Sequence, residues 1–536
     1  MVEFEVKYRD LLGRIGRLKT KRGYLETPLL FPVINPLSQV VTPREMFEKF
    51  GCQAVITNAY IIKRHLAREV TEKGVHALLE FEGVVMTDSG AYQILQYGKI
   101  ETSPEEIVKF QEELDTDIAT ILDVPTGWKV SRKHAEYTVN ETIRRAKKLA
   151  KTKTREDILW VGPVQGGEYL DLIEKAAFEM SNLPFDIHAL GSPTQVMEQY
   201  RFDVLVDMIM TAKMNLPPER PIHLFGAGHP LMFALAIALG CDFFDSAAYA
   251  LYAKKDRYMT EYGTMRLSEM KYFPCTCPVC VQRTPSEVQD ELAADRARIL
   301  AIHNLYVCMA EINRVKQAII DGRLWEYIRR KAQSHPAVFQ ALKRLKKYED
   351  FFEVHTPLTK KSGLFFFDFV DLIRPEVVRH RKRLEQGYSA PKNAEILVLF
   401  PQTTEKPFHK SKKFREIMKN LRKDIPKKFK KMHFCFYAAP FGIIPIELDE
   451  SYPLSQYEIA LPLDMETKLY VAEQVAKYVE RSNYKKIVLL ESREIWDKTI
   501  TKACRKSCKK KGIDLKVLGS DRWKTFQKWA KELEKN

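Results

Sequence analysis

Eight short apolar runs, alternating with helix-like stretches over roughly 250 residues, constrain this chain more than any other feature. The runs are Leu29–Asn35, Ala54–Tyr60, Val84–Gly90, Ile118–Pro125, Leu159–Gln165, Ile187–Gly191, Ile222–Gly226 and Asp242–Ala247. Segments between them, such as Ser103–Leu114, Lys133–Lys151 and Pro193–Lys213, carry helical periodicity. An open doubly wound sheet gives a similar alternation, but the count and the span predict an α/β chain built on a (β/α)8 (TIM) barrel. The barrel, with an insertion after its eighth run, is expected over residues 1–324, followed by a mostly helical connecting domain over 325–390. A small α/β domain is expected over 391–536, with strands at Ile396–Phe400, His433–Ala438 and Lys486–Leu490. Its helices are expected at Asp464–Arg481 and Trp496–Lys511, and QGYSAPKNAE (386–395) reads as a linker.

A barrel carries its chemistry at the C-terminal ends of its strands. Those ends place Asp88 after the third run, Asp123 on the fourth, Gln165 on the fifth and Gly191 on the sixth. The seventh ends at Phe225 and Gly226, and the eighth carries Asp245. One such Asp is often only a helix N-cap. Three carboxylates, an amide, a glycine backbone and aromatic rings converging on one mouth suit a flat, hydrogen-bonding heterocycle.

Cys275, Cys277 and Cys280 form Cys-x-Cys-x-x-Cys in a Pro-rich loop, and His303 follows in a helical pattern over about 286–321. Three thiolates and an imidazole make a closed tetrahedral site, so one structural Zn2+ is expected. Cys52, Cys241, Cys308, Cys435, Cys504 and Cys508 show no such grouping and read as packing residues.

The chain carries 86 basic against 70 acidic residues, a net charge of +16. From Pro401 onward 31 Lys and Arg face 18 Asp and Glu, so +13 of that excess is C-terminal, mostly in Lys406–Lys431 and Lys502–Lys511. Such a face favours a polyanion, because each phosphate contact releases condensed counterions. The charged N-terminus carries no apolar signal segment, the apolar run Leu231–Leu239 is too short to span a membrane, and the cysteine usage suits a reducing cytoplasm. A metal-dependent barrel hydrolase would need His-x-His on the first strand, and Leu29–Asn35 has no His. A dinucleotide site at Gly226-Ala-Gly228 lacks its third glycine.

The segments MTDSGAYQ (86–93), ILDVPTG (121–127), VQGGEY (164–169), HALGS (188–192), HLFGAGHP (223–230), FDSAAYALYAKKDRYMT (244–260) and CTCPVC (275–280) together resemble tRNA-guanine transglycosylases of the archaeal branch. The resemblance runs to about residue 385 and includes KAQSHPAVFQALKRL and TPLTKKSGLFFF of the connecting region. It implies exchange of guanine 15 in the tRNA D-arm for 7-cyano-7-deazaguanine, a step of archaeosine biosynthesis. By motif, Asp245 matches the nucleophile and Asp88 the general acid/base, with Ser89 assisting. Asp123, Gln165 and the Gly191 backbone match the purine-reading positions, and Tyr92 and Phe225 the stacking ones. Where the family often has Gly-Gly, this chain has Gly191-Ser192, a side chain expected to narrow the pocket.

Implied partners are tRNA, the free 7-deazaguanine base and a second copy of the chain. Archaeal members often end in a PUA domain; with none evident here, either the basic α/β domain is expected to do that job or a separate PUA-domain protein to assist as a further partner. The stretch FPQTTEKPFHKSKKF (400–414) resembles a motif of archaeosine synthase, with Pro401, Lys406, Pro407 and Ser411 fitting. Gln402, Phe408 and Phe414 replace its Cys, Tyr and His, so a degenerate domain kept for tRNA contact is expected. The alternatives are a synthase-like enzyme or a non-catalytic tRNA-binding subunit; retention of Asp88 and Asp245 favours exchange.

Overall fold

The computed structural model describes residues 3–91, 102–519 and 522–535. It resolves into two compact units, Met1–Tyr348 and Glu349–Asn536. No helix among the described residues is long and apolar enough to cross a membrane.

The first unit opens with an antiparallel sheet of β1 (Phe4–Asp10), β2 (Gly13–Thr20) and β3 (Gly23–Glu26). Eight parallel strands follow: β4 (Leu29–Ile34), β5 (Ala54–Asn58), β6 (Val84–Asp88), β7 (Ile118–Thr120), β8 (Leu159–Val164), β9 (Ile187–Leu190), β10 (Ile222–Leu224) and β11 (Phe243–Ser246). They close into a barrel, with β11 pairing back onto β4. Each of the eight apolar runs supplies one strand. Parallel strands covered on both faces read as continuous apolar runs, which is why they were visible. Phe31, Ile56, Met86, Ile118, Val161, Ala189 and Phe243 form one buried cluster, joined by Leu18 and Leu25 from the antiparallel sheet. That sheet is tied to the barrel by Arg14, whose Nε and Nη2 each donate to the buried Asp242 carboxylate at 2.8 Å.

The intervening helices start where their capping residues dictate. Ser103 and Glu106 form a reciprocal capping box for the helix Pro104–Glu113, and Ser131 caps Arg132–Thr152. The helix expected over 193–213 is broken into Thr194–Glu198 and Phe202–Asn215, with Tyr200 between them at φ 55°. After β11 come the hairpin β12 (Arg257–Thr260) and β13 (Gly263–Arg266), then helices Pro285–Asp290 and Ala293–Ile320. Helices Leu324–Ala332 and Pro336–Arg344 complete this unit, so residues 325–348 fold with the barrel.

The second unit has two sheets. A short one pairs β14 (Leu364–Phe366) with β18 (Tyr457–Ile459). The main sheet comprises β15 (Ile396–Pro401), β16 (Met432–Ala438), β17 (Gly442–Pro445), β19 (Lys486–Leu490) and β20 (Asp514–Leu518), in the order β17-β16-β15-β19-β20. Only β17 is antiparallel to its neighbour. Alternate residues feed two cores. Val398, Phe400, Phe434 and Phe436 pack with Phe414 of helix Lys412–Asp424 and Phe526 of helix Arg522–Lys535. Leu397, Leu399, Cys435 and Tyr437 pack with Val475 of helix Met465–Arg481 and Cys504 of helix Thr499–Lys511. The tract 386–395 is docked rather than free: Tyr388 Oη lies 3.0 Å from His433 Nε2, and Glu395 N donates to Lys431 O at 2.8 Å.

Candidate active site at the mouth of the barrel

The C-terminal strand ends open into a cavity of about 800 Å3. Asp88 closes β6, Asp123 lies just beyond β7, and Gln165, Gly191 and Phe225 directly follow β8, β9 and β10. With Asp245 on β11, all six line this one space.

Asp123 and Gln165 form its buried floor. Gln165 Nε2 donates to Asp123 Oδ2 at 2.5 Å, while Gln165 Oε1 accepts from Thr126 N at 3.0 Å and from Ser192 Oγ at 2.9 Å. Two donors on the carbonyl fix which way the amide points. Gly191 has no alternative, because a Cβ there would lie 2.2 Å from Gln165 Nε2. Ser192 lines the cavity in a left-handed conformation, φ 62°. Its hydroxyl is turned onto Gln165, so it braces the amide where a narrowing of the pocket was expected.

Two of the carboxyls, Asp88 and Asp123, are pushed above the ordinary range. Burial, then the charges of Asp123 and Asp245, push Asp88 up to about 7, against the backbone N–H groups of Gly90 and Ser89. Asn58 Nδ2 donates to Asp88 Oδ2 at 3.1 Å. Burial pushes Asp123 up to about 6, and the Gln165 hydrogen bond offsets part of that. Asp245 is organised differently: its Oδ1 accepts from Gly226 N and lies against His223 Nε2, both at 2.9 Å. His223 is buried, with its ring 5.6 Å from Phe31 and 4.7 Å from Phe225. Its Nδ1 has no partner among the described residues, so a neutral ring carries its proton on Nε2 and donates it to Asp245.

His223 was missed in the sequence. The available signal was its spacing: it lies two residues before Phe225 and therefore shares that residue's strand face. Ser89 follows Asp88 but is fully buried and outside the cavity lining, and its hydroxyl has no partner among the described residues. Tyr92 lies outside the described residues.

Residues 10–337 match the queuine tRNA-ribosyltransferase family. The chain belongs to that family. As an enzyme it is a pentosyltransferase, a tRNA-guanine transglycosylase. It is 44% identical over 475 residues to a tRNA-guanine(15) transglycosylase of Methanocaldococcus jannaschii, covering 87% of this chain and 70% of that relative. It is 40% identical to proteins of the same description from Sulfolobus acidocaldarius, over 92% of this chain and 96% of the relative, and from Saccharolobus solfataricus, over 92% and 98%. Residues 377–535 match a domain of unknown function, DUF5591.

A second cluster in the transglycosylase lies beyond the barrel strands. The ligand atoms of Cys275, Cys277, Cys280 and His303 all lie within 4.8 Å of one another. Cys277 Sγ is 3.5 Å from Cys280 Sγ, and His303 Nδ1 is 3.5 Å and 3.3 Å from these two sulfurs. Tetrahedral zinc with bonds of about 2.3 Å to sulfur sets neighbouring ligand atoms about 3.8 Å apart, so the group fits such an ion closely. The outer contacts suit a metal too. His303 Nε2 sits 2.8 Å from Met259 O, which leaves Nδ1 as the ligand atom, and Tyr258 stacks on the imidazole at 3.6 Å. The other six cysteines are free and buried, as packing residues should be.

Proposed function

We propose that this transglycosylase exchanges guanine at position 15 of tRNA for free 7-cyano-7-deazaguanine through a covalent glycosyl–Asp245 intermediate, as a step of archaeosine biosynthesis in the cytoplasm. The observation that carries the reading is the convergence of Asp88, Asp123 and Asp245 on one cavity, with Asp88 held near neutrality by burial and by the other two charges. A carboxyl group that titrates near 7 can give a proton and take one back at the pH of the cell.

The target guanine leaves the tRNA stack and enters the cavity. Gln165, Asp123 and the Gly191 backbone read its hydrogen-bonding edge, and Phe225 packs on its face. Asp245 attacks the ribose C1′, forming a C–O bond as the bond to the guanine nitrogen breaks, and Asp88 protonates the departing base. The incoming base then loses its ring-nitrogen proton to Asp88 and displaces Asp245 from C1′, so protons and bonds balance over the cycle. Because Asp245 Oδ1 is occupied by His223 and Gly226, the other oxygen, Oδ2, is the one that attacks. In this reading Cys275, Cys277, Cys280 and His303 hold one structural zinc ion. The basic second unit supplies tRNA contact.

Exchange of radiolabelled guanine into tRNA tests the assignment. The wild type should incorporate label and form a tRNA adduct that survives denaturing electrophoresis. Asp245→Asn should lose both, with exchange down roughly 10^3-fold or more. Equal activity in the variant removes Asp245 as nucleophile. Failure of 7-cyano-7-deazaguanine to compete with guanine would reject the proposed incoming base while leaving the exchange itself standing.

A further inference from the structure

At about 800 Å3 the cavity offers more room than one purine fills. Beyond the Asp123–Gln165 floor it continues to an aromatic rim in which Tyr200, Tyr252, Tyr262 and His335 line the same space. Tyr200 is the notable member. It stands at φ 55° where the first of two helices ends, held there by Tyr200 N donating to Met197 O and Arg201 N to Val196 O, both at 3.0 Å. The residue is 50% exposed, yet its ring has neighbours. His335 stacks on it at 4.8 Å and 26°, and Phe202 meets it edge-on at 5.8 Å. His335 is itself fixed, because its Nδ1 caps a helix by accepting from Ala337 N at 3.1 Å. An exposed aromatic ring at the edge of a cavity, stacked on a fixed neighbour, offers a base a surface to stack on. Nearby, the exposed Arg257 lays its guanidinium over the Tyr252 ring at 5.9 Å, putting a cation on the same rim.

We propose that Tyr200, braced by His335, is a stacking platform for the nucleobase directly adjacent to the exchanged guanine, with Arg257 meeting the phosphate that links the two nucleotides. The proposal rests on the exchange reaction argued above. Pulling one base out of a stack leaves its neighbours without a partner, and an aromatic side chain can replace the lost surface whatever the base, since every base has a π face. The floor would then select the guanine while the rim holds the strand that carries it.

The test uses the full-length protein and tRNA carrying 2-aminopurine at the nucleotide on the 5′ side of the target or, separately, on the 3′ side. Stacking on Tyr200 should quench the fluorescence of one of the two on binding to the wild type and to Tyr200→Phe, but not to Tyr200→Ala. In exchange assays Tyr200→Ala should raise KM for tRNA roughly 5- to 100-fold, the range of one lost base–aromatic stack, while KM for free guanine stays put. Tyr200→Phe should stay within about twofold of wild type, and Arg257→Ala should reduce the salt dependence of tRNA binding by roughly one counterion. An unchanged KM for tRNA in Tyr200→Ala, with quenching intact, overturns the platform. A rise in KM for guanine alone also overturns it, by seating the free base on the ring. A wild type that binds and quenches but exchanges nothing would instead sink the proposed reaction.

Discussion

At the strand ends of the barrel, Asp88, Asp123 and Asp245 share one cavity with no cation among its buried floor residues, whereas at the strand ends of the second unit Gln402 and Glu491 are turned onto partners of their own fold. There Gln402 Oε1 accepts from Ala439 N at 2.8 Å, and Glu491 accepts from Thr501 Oγ1 and Arg493 Nε, both at 2.6 Å. Both units are built from parallel strands, whose C-terminal ends are the usual place for chemistry in α/β proteins. The difference teaches that position alone does not make a site. The barrel keeps two buried carboxyls pushed upward beside a third, while Gln402 and Glu491 of the second unit are held by donors of their own fold. Phe408 and Phe414, two of the positions where the chain departs from the synthase motif it was expected to resemble, are both buried, 5.0 and 5.2 Å from the Phe436 ring, and serve as core.

The sharpest way to break this comparison is to neutralise one carboxylate in each unit and measure stability. Asp88 rises from an ordinary 3.8 to about 7 in the folded chain. Between those values the native state holds a proton that the unfolded state has lost, so stability falls as pH rises through that window. Asp88→Asn removes the cost and should stabilise the barrel unit by roughly 1–3 kcal/mol at pH 8, with little effect at pH 3.5. Glu491 goes the other way: its burial pushes it up, but the Thr501 and Arg493 bonds hold it below the ordinary value. Its contribution is present at neutral pH and lost as pH falls through the carboxylate range, so Glu491→Gln should cost about 1 kcal/mol at pH 8. Two shifts of the same sign in thermal or denaturant melts would erase the distinction.

Next in size is the orientation of Asp245. His223→Ala removes one of the two donors on Oδ1 and should lower kcat roughly 10- to 100-fold, the worth of a hydrogen bond to a charged group, with KM for guanine nearly unchanged. His223→Gln, which can still donate, should recover much of the loss. Gln402→Ala, at the corresponding place in the second unit, should leave exchange within about twofold. A His223→Ala enzyme with normal kcat would show that Gly226 N alone positions the carboxylate.

That histidine also marks where the sequence stopped being legible. The barrel was readable because doubly covered strands are continuous apolar runs, and the Cys-x-Cys-x-x-Cys spacing was readable because metal ligands cluster locally. The strand-end residues followed from barrel geometry. His223 carried no local sign, since a histidine inside an apolar strand looks like any buried ring until Asp245 of the next strand is placed beside it. The break at Tyr200 was hidden for the same kind of reason: no glycine announces its left-handed turn, which closes helix Thr194–Glu198 through Tyr200 N donating to Met197 O and Arg201 N to Val196 O, both at 3.0 Å. In the second unit β17 is four residues long and β14 and β18 three each, too short for periodicity to speak, and the edge strand β20 mixes Asp and Lys with its apolar residues. The tract 386–395 had a linker's composition, but Tyr388 anchors it through His433.

The smallest expected effect tests what the second unit is for. If its strand ends carry no chemistry, its remaining asset is charge, and helix Lys412–Asp424 turns Lys412, Lys419 and Lys423 to solvent. Reversing all three to Glu should raise KM for tRNA about 3- to 10-fold at low salt, and the gap from wild type should close as salt rises, because screened phosphate contacts are what was lost. KM for guanine and kcat should not move. Deleting residues 392–536 would be a poorer experiment, since it strips β18 from β14 and uncovers Leu364 and Phe366. A triple variant whose tRNA kinetics match wild type at every salt concentration would take tRNA contact away from this face and leave the domain without the role its charge suggests.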